Sequence, residues 1–177
     1  MIRTLLGSGL LFLAFTGNAP AAPQKETFRD WTAGLDEVNT GEDLRKTCQA
    51  NVSGDDVLSR ILVLGIAISD GDALPPDAYP AITLSATYPI SDGQDISVLF
   101  TSGDTRIEVR ASDTGKGLLV NNVKETSLAL LRAMAAGSTL DVAIAGKPGP
   151  SLSLHGFTAA YRQLGVWCGF PTGDIAK

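Results

Sequence analysis

The chain has 177 residues, a formal net charge of −5, and 44% hydrophobic but only 6% aromatic residues. An acidic balance whose charges are scattered along the chain argues against partners such as nucleic acid and anionic lipid surfaces. The single histidine excludes a metal site built from several histidines.

The N-terminal residues have the pattern of an export signal. Arg3 supplies a positive charge, residues 5–15 are mostly apolar, and an Ala-x-Ala pattern of small residues follows. The alternative is an uncleaved membrane anchor, but the apolar run is shorter than the roughly 20 residues that a spanning helix needs. We therefore predict a signal peptide over residues 1–21 and a single domain over residues 22–177.

The chain contains two cysteines, Cys48 and Cys168. Cysteines of an exported chain usually pair, because the compartments outside the cytoplasm are oxidising. The alternative is a reactive thiol, but neither cysteine has a C-x-x-C partner or a neighbouring histidine. We predict a disulfide between Cys48 and Cys168 that ties the second strand to the C-terminal tail.

Most of the chain after the signal shows the two-residue alternation of half-buried strands, with turn residues between the segments. Residues 61–68 are apolar at both parities, which predicts a central strand covered on both sides, with a buried helix as the alternative. The pattern predicts a mainly β fold, made of two packed sheets or of one sheet closed on itself. The alternating segments are residues 82–88, 96–100, 107–111, 140–144 and 152–154, with turns at 102–104 and 146–150.

Two segments have helical periodicity instead. Lys124–Ala136 predicts a helix that crosses between two strands and ends at Gly137, and residues 158–164 predict a short second helix. The side chains expected to face the core are Leu128, Leu131 and Met134 in the first helix, and Ala159, Ala160 and Leu164 in the second.

No motif predicts a catalytic, cofactor-binding or metal-binding residue. His155 lacks a G-x-S-x-G nucleophile motif or another recognisable partner, so we interpret it as a packing or turn residue that points outward or bonds locally to the turn. The acidic turns at 55–56 and 70–72 lack the ligand spacing of a known calcium loop. The sequence therefore predicts a protein that is not an enzyme and has no cofactor.

Several residues are predicted to act through structure. Trp31, Phe157 and Trp167 are interpreted as core around the cysteine bridge rather than as a ligand groove. Gly156 is expected to turn the chain from strand to helix, and Phe157 to cover the open end of the fold. Arg106, Glu108 and Arg110, with Arg60, are interpreted as a solvated face rather than as a recognition stripe.

Two regions resemble the invasion-associated locus B family of bacterial exported proteins. The first comprises residues 28–33 (FRDWTA) and 47–50 (TCQA), and the second comprises the predicted helix, residues 137–142 (GSTLDV) and residues 152–160 (LSLHGFTAA). The cysteine pattern differs, since Leu35 stands at the position of the family's first cysteine. The resemblance implies an immunoglobulin-like β-sandwich and supplies no catalytic residues.

These observations lead to one functional expectation and one alternative. We expect a non-catalytic binding or host-interaction protein that is periplasmic, secreted or associated with the outer membrane. Its partner is expected to be a protein or another envelope component, not nucleic acid, and residues 22–177 are expected to contain no membrane span. The alternative is a small periplasmic hydrolase or a hydrolase inhibitor.

Overall fold

The computed structural model describes residues 23–90 and 95–175. The predicted signal over residues 1–21 lies outside the described residues, as do Asp92 and Gly93, which were expected to end a strand. The elements are β1 (Gln24–Phe28), β2 (Trp31–Asn39), β3 (Leu44–Asp55), β4 (Ile61–Ser69), β5 (Ala81–Ala86), β6 (Ile96–Ser102), β7 (Thr105–Asp113), β8 (Leu118–Val120), α1 (Lys124–Ala136), β9 (Thr139–Ile144), β10 (Lys147–Ser153) and α2 (Phe157–Cys168).

The ten strands of the described residues belong to one antiparallel sheet with the order β1-β2-β3-β4-β5-β8-β7-β6-β9-β10. Alternate residues of most strands are buried, so the sheet has one face toward the core, as the two-residue period requires. The predicted mainly β fold is confirmed, and the immunoglobulin-like arrangement stays a prediction.

The sheet bends so that its last strand lies against strands near its other edge. β10 contacts β3 and β4, although neither is its neighbour in the hydrogen-bonded order. Gly54 permits this approach, because a Cβ atom at that position would overlap the carbonyl oxygen of Ser151. The bend thereby brings β10 over β3 and β4 and encloses the buried face of the sheet.

The hairpin between β6 and β7 was predicted correctly. Ser102 pairs with Thr105 across a two-residue turn, and Gly103 has a φ of 55°. Positive φ in two-residue hairpin turns favours glycine at such positions. The turn between β9 and β10 is shorter than predicted: it consists of Ala145 and Gly146, and the strand resumes at Lys147.

Residues 61–68 form a central strand, β4, between β3 and β5, which removes the buried-helix alternative. Only one of its faces is fully buried, with Leu62, Leu64, Ile66 and Ile68 in the core. The opposite face is half-buried at Val63, Gly65 and Ala67, so the prediction of cover on both sides is wrong. Aliphatic residues fit this face because β-branched and small side chains suit a pleated, partly covered surface.

The first helix has the predicted bounds, and Leu131 and Met134 are buried in it. Gly137 has a φ of −92°, so it does not serve as a left-handed helix terminator. Its backbone instead approaches Ser102, whose hydroxyl a Cβ atom would overlap. The second helix is longer than predicted, and Ala159 is exposed rather than directed to the core.

A cluster of aromatic rings fills the space between α2 and the sheet. Trp31 and Phe157 are fully buried with ring centroids 5.0 Å apart, and Tyr161 lies 5.9 Å beyond Phe157. Gly156 precedes α2 with a φ of 97°, and a Cβ atom there would overlap the carbonyl oxygen of Phe28. Trp31 and Phe157 are therefore core residues, whereas Trp167 is only partly buried.

The two cysteines predicted to pair are joined, with Sγ atoms 2.07 Å apart. Cys48 lies on β3 and Cys168 is the last residue of α2, so the bridge does not join the second strand to a tail as predicted. The difference arises because β1 adds a strand before Trp31 and because α2 continues to Cys168.

We expect Phe157→Ala to lower the free energy of unfolding by about 3–5 kcal/mol, because it removes a fully buried ring and leaves a cavity. His155→Ala should change it by less than about 0.5 kcal/mol, since the histidine side chain is 59% exposed. Urea unfolding of both variants tests this pair. Equal destabilisation by the two substitutions would show that Phe157 is not a core anchor.

The bridge closes a loop of 120 residues, for which the chain-entropy model gives about 4–5 kcal/mol as an upper figure. The Cys48→Ala/Cys168→Ala double variant should therefore melt about 5–15 °C lower than the parent chain. Non-reducing peptide mapping of the parent provides the control. Two free thiols in that map, or an unchanged melting temperature, would contradict the prediction.

Candidate binding surface

Asp30, Ser153 and His155 come together where the β1–β2 turn meets the end of β10. The Ser153 hydroxyl donates to Asp30 Oδ2 at 2.5 Å and accepts from the backbone N–H of His155 at 3.2 Å. The backbone N–H of Asp30 donates to the carbonyl oxygen of His155 at 3.3 Å. These contacts close the turn and use the serine and the aspartate as structural partners.

The same three residues have the wrong connections for nucleophilic catalysis. A catalytic serine donates its proton to the imidazole, and a buried aspartate orients that ring. Here the serine donates to Asp30, which is 52% exposed, and His155 Nδ1 lies 3.9 Å from the carboxylate. The arrangement offers no support for the alternative of a serine hydrolase.

In the acidic turn at residues 70–72, the carboxylates accept hydrogen bonds from backbone N–H groups of the chain. Asp70 Oδ2 accepts from the backbone N–H of Lys46 at 2.5 Å, and Asp72 Oδ2 accepts from that of Ser69 at 2.5 Å. Within residues 23–90 and 95–175, no group of three or more His, Cys, Asp or Glu side chains is placed to hold a metal ion.

The charged residues of β7 lie exposed, as predicted. Ser97 donates to Glu108 at 2.6 Å, and Arg110 donates to the carbonyl oxygen of Asp95 at 3.3 Å. Arg106 is exposed on the same strand, whereas Arg60 lies in the turn before β4 and contacts a different set of residues. The four residues therefore form no single stripe.

The turn between β3 and β4, residues 56–60, is held in one shape by a single aspartate. Asp56 Oδ1 accepts from the backbone N–H groups of Leu58 at 2.9 Å and Arg60 at 3.1 Å. Asp56 Oδ2 accepts from Nε and pairs with Nη2 of Arg60. The hydrogen bond from the Arg60 side chain lowers the pKa of Asp56, and the same bond raises the pKa of Arg60.

Arg60 also fixes this turn to the rest of the sheet. Its guanidinium lies over the ring of Tyr88, 5.1 Å from the ring centroid, in a cation–π contact. Burial raises the pKa of Tyr88, and Thr87 Oγ1 accepts from the backbone N–H of Ile61 at 3.0 Å. The turn is thus supported by the segment that follows β5.

Two side chains in the middle of this turn are apolar and exposed. Val57 is fully exposed at 100% and Leu58 is 70% exposed, while Ile61, the first residue of β4, also lies partly open. Exposed apolar residues are common singly, whereas contiguous exposed apolar patches mark interaction sites. Residues 56–60, with Val57 and Leu58 outward, are called the apolar tip below.

A second group of polar residues connects α1 to the segment after α2. Ser127 donates to Asn122 Oδ1 at 2.9 Å, and Asn122 Nδ2 donates to the carbonyl oxygen of Tyr79 at 2.5 Å. The Tyr79 hydroxyl donates to Asp174 Oδ2 at 2.5 Å, and Arg132 Nε donates to the carbonyl oxygen of Asp174 at 2.8 Å. The chain of bonds starts and ends on α1 and is called the polar circuit below.

Burial raises the pKa of all three tyrosines of the chain. The pKa of Tyr79 rises to about 12, first through burial and second through its bond to Asp174. The pKa of Tyr161 is raised further by burial, and that of Tyr88 is raised by the same cause.

No helix in the described residues is both long and apolar enough to cross a membrane. The chain matches none of the protein-family models, curated proteins or solved structures with which it was compared.

Sequence reasoning missed the apolar tip and the polar circuit. The spacing of Asp56 and Arg60, with two aliphatic residues between them, was a usable signal for the tip, because aspartate commonly closes turns through backbone N–H groups two residues on. The circuit had no such signal, since Tyr79 and Asp174 are 95 residues apart.

Alkaline titration tests the tyrosine environments. A tyrosine whose folded pKa exceeds its unfolded value of 10 adds stability that is complete below pH 10 and is lost as pH rises toward the folded pKa, about 12 for Tyr79. Tyrosinate absorbance should thus develop at higher pH in the folded chain than in the urea-unfolded chain. Tyr79→Phe should make the loss of stability between pH 10 and 12 less steep. Coincident titration curves in both states would contradict this environment.

Proposed function

We propose that this chain is a non-catalytic exported protein of the bacterial envelope that binds a protein partner through the apolar tip. We further propose a periplasmic, secreted or outer-membrane-associated location and a relationship to the invasion-associated locus B family. The signal pattern over residues 1–21 and the sequence phrases around Trp31 and Phe157 support these proposals. A bridge between Cys48 and Cys168 is in keeping with an oxidising compartment.

The observation that carries the proposal is the combination of exposure and rigidity at the tip. Val57 and Leu58 are 100% and 70% exposed, so a partner that covered them would gain about 1.5–3 kcal/mol for each fully buried side chain. Asp56 fixes the backbone beforehand through Leu58 and Arg60. A pre-formed loop loses less conformational entropy when it binds, which raises its affinity.

The chemistry of the tip indicates the kind of partner. Two aliphatic side chains require an apolar socket, and the charge of Asp56 is already neutralised by Arg60. Nucleic acid offers no such socket, and the chain is acidic overall. A protein with an aliphatic pocket is therefore the partner that we propose.

The immunoglobulin-like sandwich is part of this proposal. Its support is the bend that brings β10 against β3 and the single buried face of the sheet. A second candidate function, hydrolase inhibition, has support from the same tip, because a rigid exposed loop is the kind of element that enters a hydrolase groove. In both cases the chain acts by binding.

Substitution at the tip tests the proposed function. The Val57→Ser/Leu58→Ser variant should retain the parent's melting temperature but capture at least about tenfold less of its partner from an envelope extract, since two buried aliphatic contacts are lost. Val166→Ser is the matched control, because Val166 is 74% exposed on α2, outside the tip. It should capture as much as the parent chain.

Loosening the turn gives an independent measure. Arg60→Gln removes the ion pair with Asp56 but keeps both outward side chains, so capture should fall to an intermediate level. Equal capture by the parent, Val57→Ser/Leu58→Ser and Val166→Ser would rule out the tip as the contact point. Hydrolysis by the parent that is lost in His155→Ala would instead favour the enzyme alternative.

A further inference from the structure

A cleft of about 750 Å³ lies between α1, the start of α2 and the segment that follows α2. Clefts of about 300–1,000 Å³ have the size of small-molecule sites. Its lining is formed by Arg132, Ala135, Ala136, Thr158, Gly173, Asp174 and Ile175.

Most of the cleft's lining is apolar, and it includes one positively and one negatively charged residue. Ala135, Ala136 and Ile175 contribute aliphatic surface, while Arg132 is the cation that lines the cleft. Asp174 is the acid in the lining, but its Oδ2 accepts from Tyr79 and its Oδ1 is buried away from solvent. Both charged residues line the cleft, and the Asp174 carboxylate is turned toward Tyr79, so the Arg132 guanidinium is the group that would bind an anion there.

The guanidinium of Arg132 is oriented before any ligand binds. Its Nε donates to the carbonyl oxygen of Asp174 at 2.8 Å, which is the last bond of the polar circuit. Among the described residues, its Nη1 and Nη2 groups have no hydrogen bond or ion pair. Two parallel N–H groups on one edge of a guanidinium match the two oxygens of a carboxylate.

Thr158 adds a neutral polar group to the same cleft. Its hydroxyl has no hydrogen-bond partner among the described residues, so it remains able to donate to a ligand oxygen. Apolar walls, one oriented guanidinium edge and one hydroxyl together fit a molecule with an apolar body and a single carboxylate.

We infer that this cleft binds a small amphipathic carboxylate, with its charged group on Arg132 and its apolar body against Ala135, Ala136 and Ile175. This site is separate from the apolar tip and does not depend on the proposed partner. Decanoate is the probe, because it has one carboxylate and an aliphatic chain.

Calorimetric titration of the full, disulfide-bonded chain with decanoate, below the concentration at which it forms micelles, tests the inference. We expect saturable binding of one decanoate per chain and much weaker binding of 1-decanol, which lacks the charge. Arg132→Gln should weaken decanoate binding by about tenfold or more, since a bond between charged groups is lost. Arg162→Gln is the matched control on the exposed face of α2 and should bind as the parent does.

A second variant separates a lost site from a disturbed fold. Ala136→Phe leaves Arg132 in place but fills the cleft from an exposed helix position, so it should abolish binding while the melting temperature is kept. The inference fails if decanoate does not bind, if decanol binds equally well, or if Arg132→Gln and Ala136→Phe both bind as the parent does.

Discussion

The indole of Trp31 connects parts of the chain that are far apart in sequence. Its Nε1 donates to the carbonyl oxygen of Ser153 at 3.0 Å, across 122 residues, and its ring contacts Phe157. The contact thus holds β2, β10 and α2 at one point in the buried interior. A buried indole that lost this acceptor would carry an unpaired N–H group, which costs about 1–3 kcal/mol. The bend of the sheet, the packing of α2 against the sheet and the cleft beside α2 all depend on this junction.

Two glycines allow the close backbone approaches around this junction. Gly54 lets β3 approach β10, and Gly156 lets the chain turn beneath Phe28 before α2 begins. Side chains at these positions would push the elements apart and expose the ring cluster. The C-terminal region is then fixed at two further points, by the bridge at Cys168 and by the bonds of Asp174 to Tyr79 and Arg132. Contacts between residues this distant in sequence predict slow folding relative to a helical domain of equal length.

Local patterns in the sequence predicted local structure well. The alternation in β6, β7 and β9 and the periodicity of α1 identified those elements, because burial of one face imposes a period that can be read residue by residue. The errors came from tertiary structure. The half-open second face of β4 depends on which elements cover it, and the exposure of Ala159 depends on how α2 is seated.

The candidate sites were harder to predict than the fold for the same physical reason. The apolar tip is local, since the bonds from Asp56 to Leu58 and Arg60 span at most four residues, so its shape could have been inferred from spacing. The cleft is not local, because Arg132 is oriented by Asp174, 42 residues away. The same difference predicts that the apolar tip and the cleft differ in how easily they are disrupted. Local turns persist when distant packing loosens, whereas a cleft walled by α1, α2 and the segment after α2 requires the whole C-terminal region to be in place. Binding at the tip and binding in the cleft should therefore respond differently to any change that weakens the junction at Trp31.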